Sequence, residues 1–411
     1  MTDMMDTDQD EEAPFTLERH IRYFSTCLRT LPAPYVKLDT NRLTLVHFAV
    51  HALDILSPDL WNDATKQSEL GINKQSIIQW IYDLQIRQPN EPPPQDALLA
   101  PISHVGFLGG TFLGPIPKLT DRSSGAHYDY HQGHIAMTYT ALCTLNTLGD
   151  DLSRIDKFGI LASLEKLQQP DGSFTCVAGG GDRGGNSAEH DMRFLFCACA
   201  ISYMLDDWSG VDKMKAVEYI KNCRAYDGGI ALIPGQEGHG GSTFCGVAAL
   251  VLMDQVEDVL CRPSSESDMF RRVGPPSVGK SCWKDELIHW CVHRQVGGMQ
   301  GRPNKAEDTC YSYWIGGTLR LLGHEELLDG KKLRNYILSC QYDLGGFGKV
   351  VNAFPDVLHS FYSLAWLSLS SHPNPQKAQS MGVKPLPIEK LNCTLGIRQT
   401  RADQFGHRSL P

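Results

Sequence analysis

The sequence repeats a unit made of a helix-period apolar run, a Gln or Arg, and a glycine turn. The copies span residues 158–174, 216–230, 285–299 and 332–347, with a weaker one starting at 76–85. After each turn comes a second apolar run with few β-branched residues, such as "MRFLFCACAISYML". The first run predicts an amphipathic helix, and the second, apolar nearly all round, predicts a buried one. Five or six such pairs predict two concentric helix rings, an all-α fold of the α/α-toroid type.

The spacing between the glycine turns is irregular, which predicts loop insertions between the repeats. The longest insertion covers residues 261–282. Residues 1–13 contain six acids and no core-forming run, so we expect them to be disordered. The toroid domain is expected to span residues 14–370. The polar, Pro-containing tail, residues 371–411, is expected to be loosely attached.

Composition limits the partners and the compartment. The formal net charge of −9 argues against a nucleic-acid or membrane-surface binder, because such partners select a basic protein. The 13 cysteines are scattered through apolar runs, as expected for buried thiols in a reducing cytosol. The acidic N-terminus does not resemble a signal peptide, and no apolar stretch approaches the ~20 residues needed to cross a bilayer. These features predict a cytoplasmic protein that is not integral to a membrane.

A metal site is predicted from residues at two helix starts. Asp308 and Cys310 follow one glycine turn, and His359 opens the buried helix of the next repeat. Inner helices of a toroid begin at the same end, so these side chains could converge as ligands of Zn²⁺. Three protein ligands would leave one position open, which is typical of a catalytic zinc. The alternative is that Asp308 only caps its helix, Cys310 packs in the core and His359 is a surface or capping residue.

Polar residues near other inner-helix starts predict a phosphate site, because helix N-termini favour anions. These residues are His239, Arg302, Lys305 and Tyr311. Alternatively, the charges pair with each other on a solvated face. Aromatic and small residues are predicted to line the inner ring, either as plain core or around a cavity for an apolar ligand. They are Tyr130, Phe194, Gly241, Phe244, Cys245 and Trp314.

Five motifs occur together in one order along the chain. They are "GHIAMTYTAL", "EHDMRF", "GHGGSTFCG", "GRPNKAEDTCYSYW" and "FPDVLHS". In this combination the chain resembles the β subunits of protein prenyltransferases, and most closely those of the type I geranylgeranyl enzymes. The resemblance runs from about residue 19 to residue 369 and implies the same α/α toroid.

The resemblance also implies a role for each matching residue. Asp308, Cys310 and His359 would be the catalytic zinc ligands, with one zinc per β subunit. The implied diphosphate-binding residues are His239, Arg302, Lys305 and Tyr311. The implied isoprenoid-binding residues are Thr44, Arg193, Gly241, Cys245 and Trp314. The implied peptide-binding residues are His134, Ala136, Phe194 and Leu358.

The activity implied is transfer of a geranylgeranyl group from its diphosphate to the cysteine of a C-terminal Cys-aliphatic-aliphatic-Leu motif. The protein substrates would be CaaX-ending proteins such as small GTPases. Family members work as heterodimers with an α subunit that contributes a lysine to the diphosphate site. Lys349 lies where farnesyl relatives place an Asp that helps to bind Mg²⁺, so we expect Lys349 to act in catalysis and Mg²⁺ not to be required.

Two kinds of alternative stay open. A farnesyltransferase or type II geranylgeranyltransferase β subunit would share the toroid and the zinc ligands. Thr44 and Leu358 are small where the farnesyl relative has aromatic residues, which favours the longer lipid. A toroidal interaction module without catalytic activity is the alternative from a different class.

Overall fold

A computed structural model describes residues 13–87, 104–112, 132–177, 189–261, 282–374, 383–406 and 410. The expectations for residues 1–12, for most of the 261–282 insertion and for Tyr130 lie outside these ranges. The main helices form pairs in which an outer helix precedes an inner one. The outer helices are α1 (Leu17–Arg29), α4 (Lys74–Asp83), α6 (Lys157–Leu167), α8 (Lys213–Asn222), α10 (Trp283–Val292) and α12 (Gly330–Ser339). The inner helices are α2 (Arg42–Leu56), α5 (Ile135–Thr147), α7 (Met192–Met204), α9 (Gly240–Met253), α11 (Tyr311–Leu321) and α13 (Val357–Ser371).

The inner helices close into a ring. Each packs against the next in chain order, and α13 packs against α2. The predicted α/α toroid is therefore confirmed. Helices α1 and α2 form one more outer–inner pair, ahead of the copies found in the sequence. The 3₁₀ segment Ala33–Asn41 joins these two helices in place of a glycine turn.

Burial separates the two rings as the sequence pattern predicts. In α9 every residue except Gly241 is buried, and in α7 every residue except Arg193 is buried. The outer helix α8 buries only one face. Among the described residues, no helix combines the length and apolar character needed to span a membrane.

The shorter elements connect the helix pairs. The short helices are α3 (Ala64–Glu69) and α14 (Gln399–Ala402), the π-helical turn Glu257–Cys261, and the 3₁₀ turns Leu60–Asn62, Glu325–Leu327 and Asp403–Phe405. Within the described ranges, two antiparallel strand pairs occur, β1 (Gln85–Ile86) with β2 (Gly106–Phe107), and β3 (Leu391–Asn392) with β4 (Ile397–Arg398).

The inner helices all begin at one end of the barrel, which we call the mouth, because an outer helix returns the chain between successive inner ones. Side chains there accept backbone N–H groups of the first turn, which otherwise lack partners. His134 caps α5, Asp191 caps α7, His239 caps α9 and Asp356 caps α13. The repeat thus places polar side chains around the mouth.

The expectation of a loosely attached tail is wrong for the described part of it. Leu391, Cys393 and Ile397 are buried in the same core as the inner helices. The buried carboxylate of Asp54 in α2 lies 3.0 Å from Arg398 Nε. Apolar burial and a buried ion pair between segments far apart in sequence outweigh the polar, Pro-containing composition of this region.

Candidate active site

Asp308, Cys310 and His359 come together where α11 and α13 begin. Each offers one ligand atom, and these atoms lie within 4.8 Å of one another. Asp308 and Cys310 are buried, and His359 is partly buried. A carboxylate, a thiol and an imidazole form a donor set that suits Zn²⁺ and leaves its fourth position free. The three side chains predicted to bind the metal are therefore close together in the structure. Their function as ligands stays a prediction.

The alternative in which Asp308 caps its helix is wrong, because the N-cap residue of α11 is Cys310 and no side chain caps this helix. Asp308 Oδ1 accepts the backbone N–H of Cys310 at 3.0 Å, so it supports the start of α11. The same oxygen lies 3.2 Å from His359 Nε2. This local hydrogen bond aims the carboxylate at the other candidate ligands, so a structural role of Asp308 is compatible with a role as ligand.

Asp356 fixes the orientation of His359. One carboxylate oxygen caps α13 by accepting the backbone N–H of His359 at 2.9 Å. The other lies 2.6 Å from His359 Nδ1, which donates to it. This contact leaves Nε2 pointing toward Asp308 and Cys310, the arrangement usual for a metal-binding histidine.

The protonation of the three groups follows from their contacts. Burial opposes a charge on His359, but hydrogen bonds with Asp308 and Asp356 outweigh it and raise its pKa to about 9. Burial opposes ionisation of Asp308 too, yet its hydrogen bonds to His359 and Cys310 lower its pKa. Burial and the Asp308 carboxylate raise the pKa of Cys310 well above its usual value. Without a metal, the site therefore pairs a protonated imidazole with an ionised carboxylate and a neutral thiol.

Lys349 approaches this cluster from the loop before α13. Its Nζ lies 3.4 Å from Asp308 Oδ2, and its side chain is 60% exposed. The loops are joined by Thr309, whose backbone N–H donates to the carbonyl of Lys349 and whose hydroxyl donates to the carbonyl of Gly348. A partly exposed ammonium group therefore lies at the mouth beside the candidate metal ligands.

A cavity of about 470 Å³ opens at the mouth between α7, α9 and α11. Its size lies within the range of small-molecule sites. The predicted residues that line it are Arg193, His239, Gly241, Cys245, Arg302 and Trp314. The residues of α7 and α9 that are not buried, Arg193 and Gly241, face this space. The cavity thus joins an entrance that contains two arginines and Glu237 to a wall that includes Trp314 and Cys245.

The protonation state of His239 prepares Tyr311 to donate a hydrogen bond. The N–H of Gly241 donates to His239 Nδ1 at 3.1 Å, so this nitrogen carries no proton. Burial and the nearby Arg302 lower the pKa of His239, which keeps its ring neutral. The proton therefore resides on Nε2, which donates to the hydroxyl of Tyr311 at 3.0 Å. The Tyr311 O–H is then free to donate to an anion.

Carboxylates already hold the arginines of the cavity. Arg302 forms an ion pair with Glu237. Arg193 Nη2 lies 2.6 Å from Asp191 Oδ2 and also pairs with Glu189. An anionic ligand would have to compete with these acids, so the entrance is less positive than its arginines alone suggest.

Two other predicted residues, Lys305 and Thr44, do not line the cavity. Lys305 is exposed on its loop and does not line the cavity. Thr44 contacts Met137, with Oγ1 3.5 Å from the sulfur, on the other side of the inner ring from α9.

The predicted peptide-binding residues form a second group at the mouth. The ring of His134 meets Phe194 edge-on at a centroid distance of 5.9 Å. Ala136 lies two residues after His134, whose Nδ1 accepts its N–H at 3.2 Å. Leu358 is partly exposed beside His359. The structure therefore groups three of the four residues and places the fourth at the candidate metal site.

Comparison with known families decides the classification. A family model described as "Prenyltransferase alpha-alpha toroid domain" matches residues 15–396. The chain belongs to this prenyltransferase family.

The prenyltransferase chain is similar to relatives named geranylgeranyl transferase type-1 subunit beta. The Arabidopsis thaliana protein is 39% identical, over 87% of this chain and 85% of its own length. The Dictyostelium discoideum protein is 35% identical, over 88% of this chain and 92% of its own length. These matches confirm the predicted resemblance to the type I β subunits and show that the chain is a prenyltransferase.

A solved structure gives the same fold. It is the Candida albicans protein geranylgeranyltransferase-I complexed with GGPP, with a TM-score of 0.72 and 22% identity over 96% of this chain and 98% of the other. At this identity the likeness supports the fold of the prenyltransferase chain and no more.

Three acids of the prenyltransferase site were missed in the sequence: Asp191, Glu237 and Asp356. Asp356 carried a usable signal, since an Asp three residues before a candidate ligand at a helix start predicts an N-cap. Asp191 likewise precedes the α7 run. Glu237 sits in a glycine-rich loop and pairs with a residue 65 positions away, so no local pattern indicates it.

Proposed function

We propose that this chain is the catalytic β subunit of a zinc-dependent type I protein geranylgeranyltransferase. The observation that carries the proposal is the cluster of Asp308, Cys310 and His359 near a cavity whose entrance holds two ion-paired arginines and whose wall includes Trp314. The relatives at 39% and 35% identity bear the type-1 β name, which favours this branch over the farnesyl and type II branches. The thirteen free cysteines suit a reducing compartment, so we place the protein in the cytoplasm.

The donor set fits zinc. Asp308, Cys310 and His359 would hold the ion, and Asp356 would keep the His359 ring in the ligating orientation. When bound, zinc would supply an open position at which the substrate cysteine is stabilised as a thiolate. The burial of Asp308 and Cys310 limits access of water to the ligands.

The reaction forms one bond and breaks another. The substrate sulfur, having lost its proton, attacks C1 of the prenyl group, and the C1–O bond breaks with its electron pair leaving on the diphosphate. Tyr311 can donate a hydrogen bond to the departing oxygens, and Arg302 can leave Glu237 to pair with them. The lipid chain would lie against Cys245 and Trp314.

The proposed enzyme also contains an α subunit. The relatives bear the name subunit beta, and by resemblance the α subunit would bring a lysine to the diphosphate. Both arginines that line the cavity are paired with acids in this chain, so added positive charge would strengthen diphosphate binding. The protein substrates would be those ending in Cys-aliphatic-aliphatic-Leu, such as small GTPases.

Lipid transfer tests the proposal. The chain is combined with its α partner, labelled geranylgeranyl diphosphate and a peptide ending in Cys-aliphatic-aliphatic-Leu. We expect label on this peptide, less on a peptide ending in Met, and none on a peptide with Ser in place of the Cys. A stable heterodimer that transfers no lipid would support the interaction module, and faster transfer of farnesyl than of geranylgeranyl would support the farnesyl alternative.

Transfer is expected to proceed without added Mg²⁺, because the ammonium group of Lys349 can balance charge on the leaving diphosphate. Lys349→Asp should lower kcat in the absence of Mg²⁺ by roughly 10²-fold, the loss typical for one charge-stabilising group, and Mg²⁺ should restore part of it. Lys331→Asp, on the exposed face of α12, is the control for a charge change and should retain activity. If Mg²⁺ proves essential for the wild-type enzyme, Lys349 does not have this function.

A further inference from the structure

The hairpin of β3 and β4 is inserted into the barrel from the end opposite the mouth. Its base is bonded to C-terminal parts of inner helices, since Glu389 N donates to the carbonyl of Ile55 and Leu391 N donates to Ser368 Oγ. Its turn, residues 393–396, reaches further toward the mouth. Cys393, Thr394 and Leu395, which we call the hairpin tip, are at most 1% exposed.

Two tyrosines near the mouth hold the hairpin tip by its backbone. Tyr313, in the first turn of α11, donates its hydroxyl to the carbonyl of Cys393 at 2.8 Å. Tyr139, in the second turn of α5, donates to the carbonyl of Leu395 at 2.9 Å. Buried carbonyls need such partners, so the position of the tip is tied to these two inner helices.

Aromatic side chains of α9 and α11, which we call the aromatic layer, lie between the hairpin tip and the cavity: Tyr313 and Phe244 are nearer the tip, and Trp314 forms part of the cavity wall. The ring of Tyr313 lies 5.3 Å from that of Trp314, which lines the cavity, and 5.0 Å from that of Phe244. A Cβ added at Gly317 would lie 3.2 Å from Cys393 Sγ and 3.2 Å from Phe244. Cys393 and Phe244 therefore flank the space beside Gly317, and the ring of Phe244 in turn lies 5.2 Å from that of Trp314 on the cavity wall.

We propose that the hairpin tip determines lipid-length specificity by supporting the aromatic layer and so fixing the depth of the cavity. The inference rests on the proposed lipid-transfer function. Protein cores are close-packed, so volume at Cys393 that exceeds the space beside Gly317 displaces Phe244, and through it Trp314, toward the cavity, or displaces the tip away from it. The first movement shortens the space for the prenyl chain. Tyr313 acts as a positioning residue, because its bond to the Cys393 carbonyl opposes the second movement.

The test measures kcat/KM of the heterodimer for geranylgeranyl and farnesyl diphosphate with one peptide. Cys393→Met should lower the ratio of kcat/KM for geranylgeranyl diphosphate to kcat/KM for farnesyl diphosphate about tenfold. One misfitting group in an apolar pocket has an effect of this order. Cys393→Ala should raise the ratio. Cys199→Met adds the same volume to a buried position of α7 and should leave the ratio unchanged.

A purely structural hairpin would lower both values in parallel, and an unchanged ratio in a folded, metal-loaded Cys393→Met enzyme would overturn the proposal. If that variant does not fold, Gly317→Ala replaces it, because the added methyl presses on the same two side chains. A constant ratio there would also count against the proposal. Wild-type enzyme that transfers no lipid would instead refute the proposed function.

Discussion

Replacing Cys310 with serine is expected to remove bound metal and lipid transfer together. If the roughly 10–16 kcal/mol of a structural zinc site is divided over four ligands, one ligand contributes about 3–4 kcal/mol, or a factor of roughly 10²–10³ in affinity. A serine hydroxyl ionises far less readily than a thiol, so it cannot replace the thiolate. Metal content, measured by atomic spectroscopy after dialysis, should fall from about one ion per β chain in the wild type to near zero.

Cys291→Ser provides the matched control. Cys291 is also a buried cysteine, but it lies in the outer helix α10. This variant should lose some stability and keep both metal and activity. Full transfer activity in a metal-free Cys310→Ser enzyme would exclude Cys310 as a ligand, and loss of metal in both variants would point to general unfolding.

The inner ring could be predicted because its signal is local. Runs such as α7 and α9 are apolar on every side, and only a buried helix accommodates that pattern. The convergence of Asp308 and His359 followed from the same repeat, since each stands at the start of an inner helix. The inner helices and the residues at their starts could therefore be placed in the fold from the repeat alone, without knowledge of any long-range contact.

The parts that were missed depend on contacts between distant segments. The hairpin sequence "LNCTLGIR" is short and partly polar, and its burial is decided by Tyr139, Tyr313 and Asp54 on inner helices far away in the chain. Lys305 and Arg302 were assigned to the diphosphate site because both precede an inner-helix start and match the residues that the resemblance implies. The loop between them turns through Asn304 at a positive φ of 61°, and only Arg302 lines the cavity, so the role of Lys305 stays a prediction.

Metal binding should release two protons per site between about pH 6 and pH 8. Zinc ligands bind in their deprotonated forms. In the metal-free site, hydrogen bonds with Asp308 and Asp356, acting against burial, hold the pKa of His359 at about 9, while burial and the Asp308 carboxylate hold that of Cys310 well above its usual value. Below pH 9 both groups therefore carry a proton that the metal must displace. Each displaced proton raises the apparent affinity about tenfold per pH unit, so two protons give roughly a hundredfold per unit.

The sign of the effect follows from these two groups. Affinity should rise steeply with pH and then less steeply above about pH 9, where His359 no longer carries its proton and only the thiol proton is displaced. Zinc titration calorimetry in buffers of different ionisation enthalpy counts the protons released. Asp356→Asn removes one of the contacts that raise the pKa of His359, so the change of slope should move to lower pH, and loss of ring orientation should weaken binding by about 10- to 100-fold. Release of about one proton or fewer by the wild type at pH 7 would mean that the thiol and the imidazole are not both ligands, because both are protonated there before metal binds.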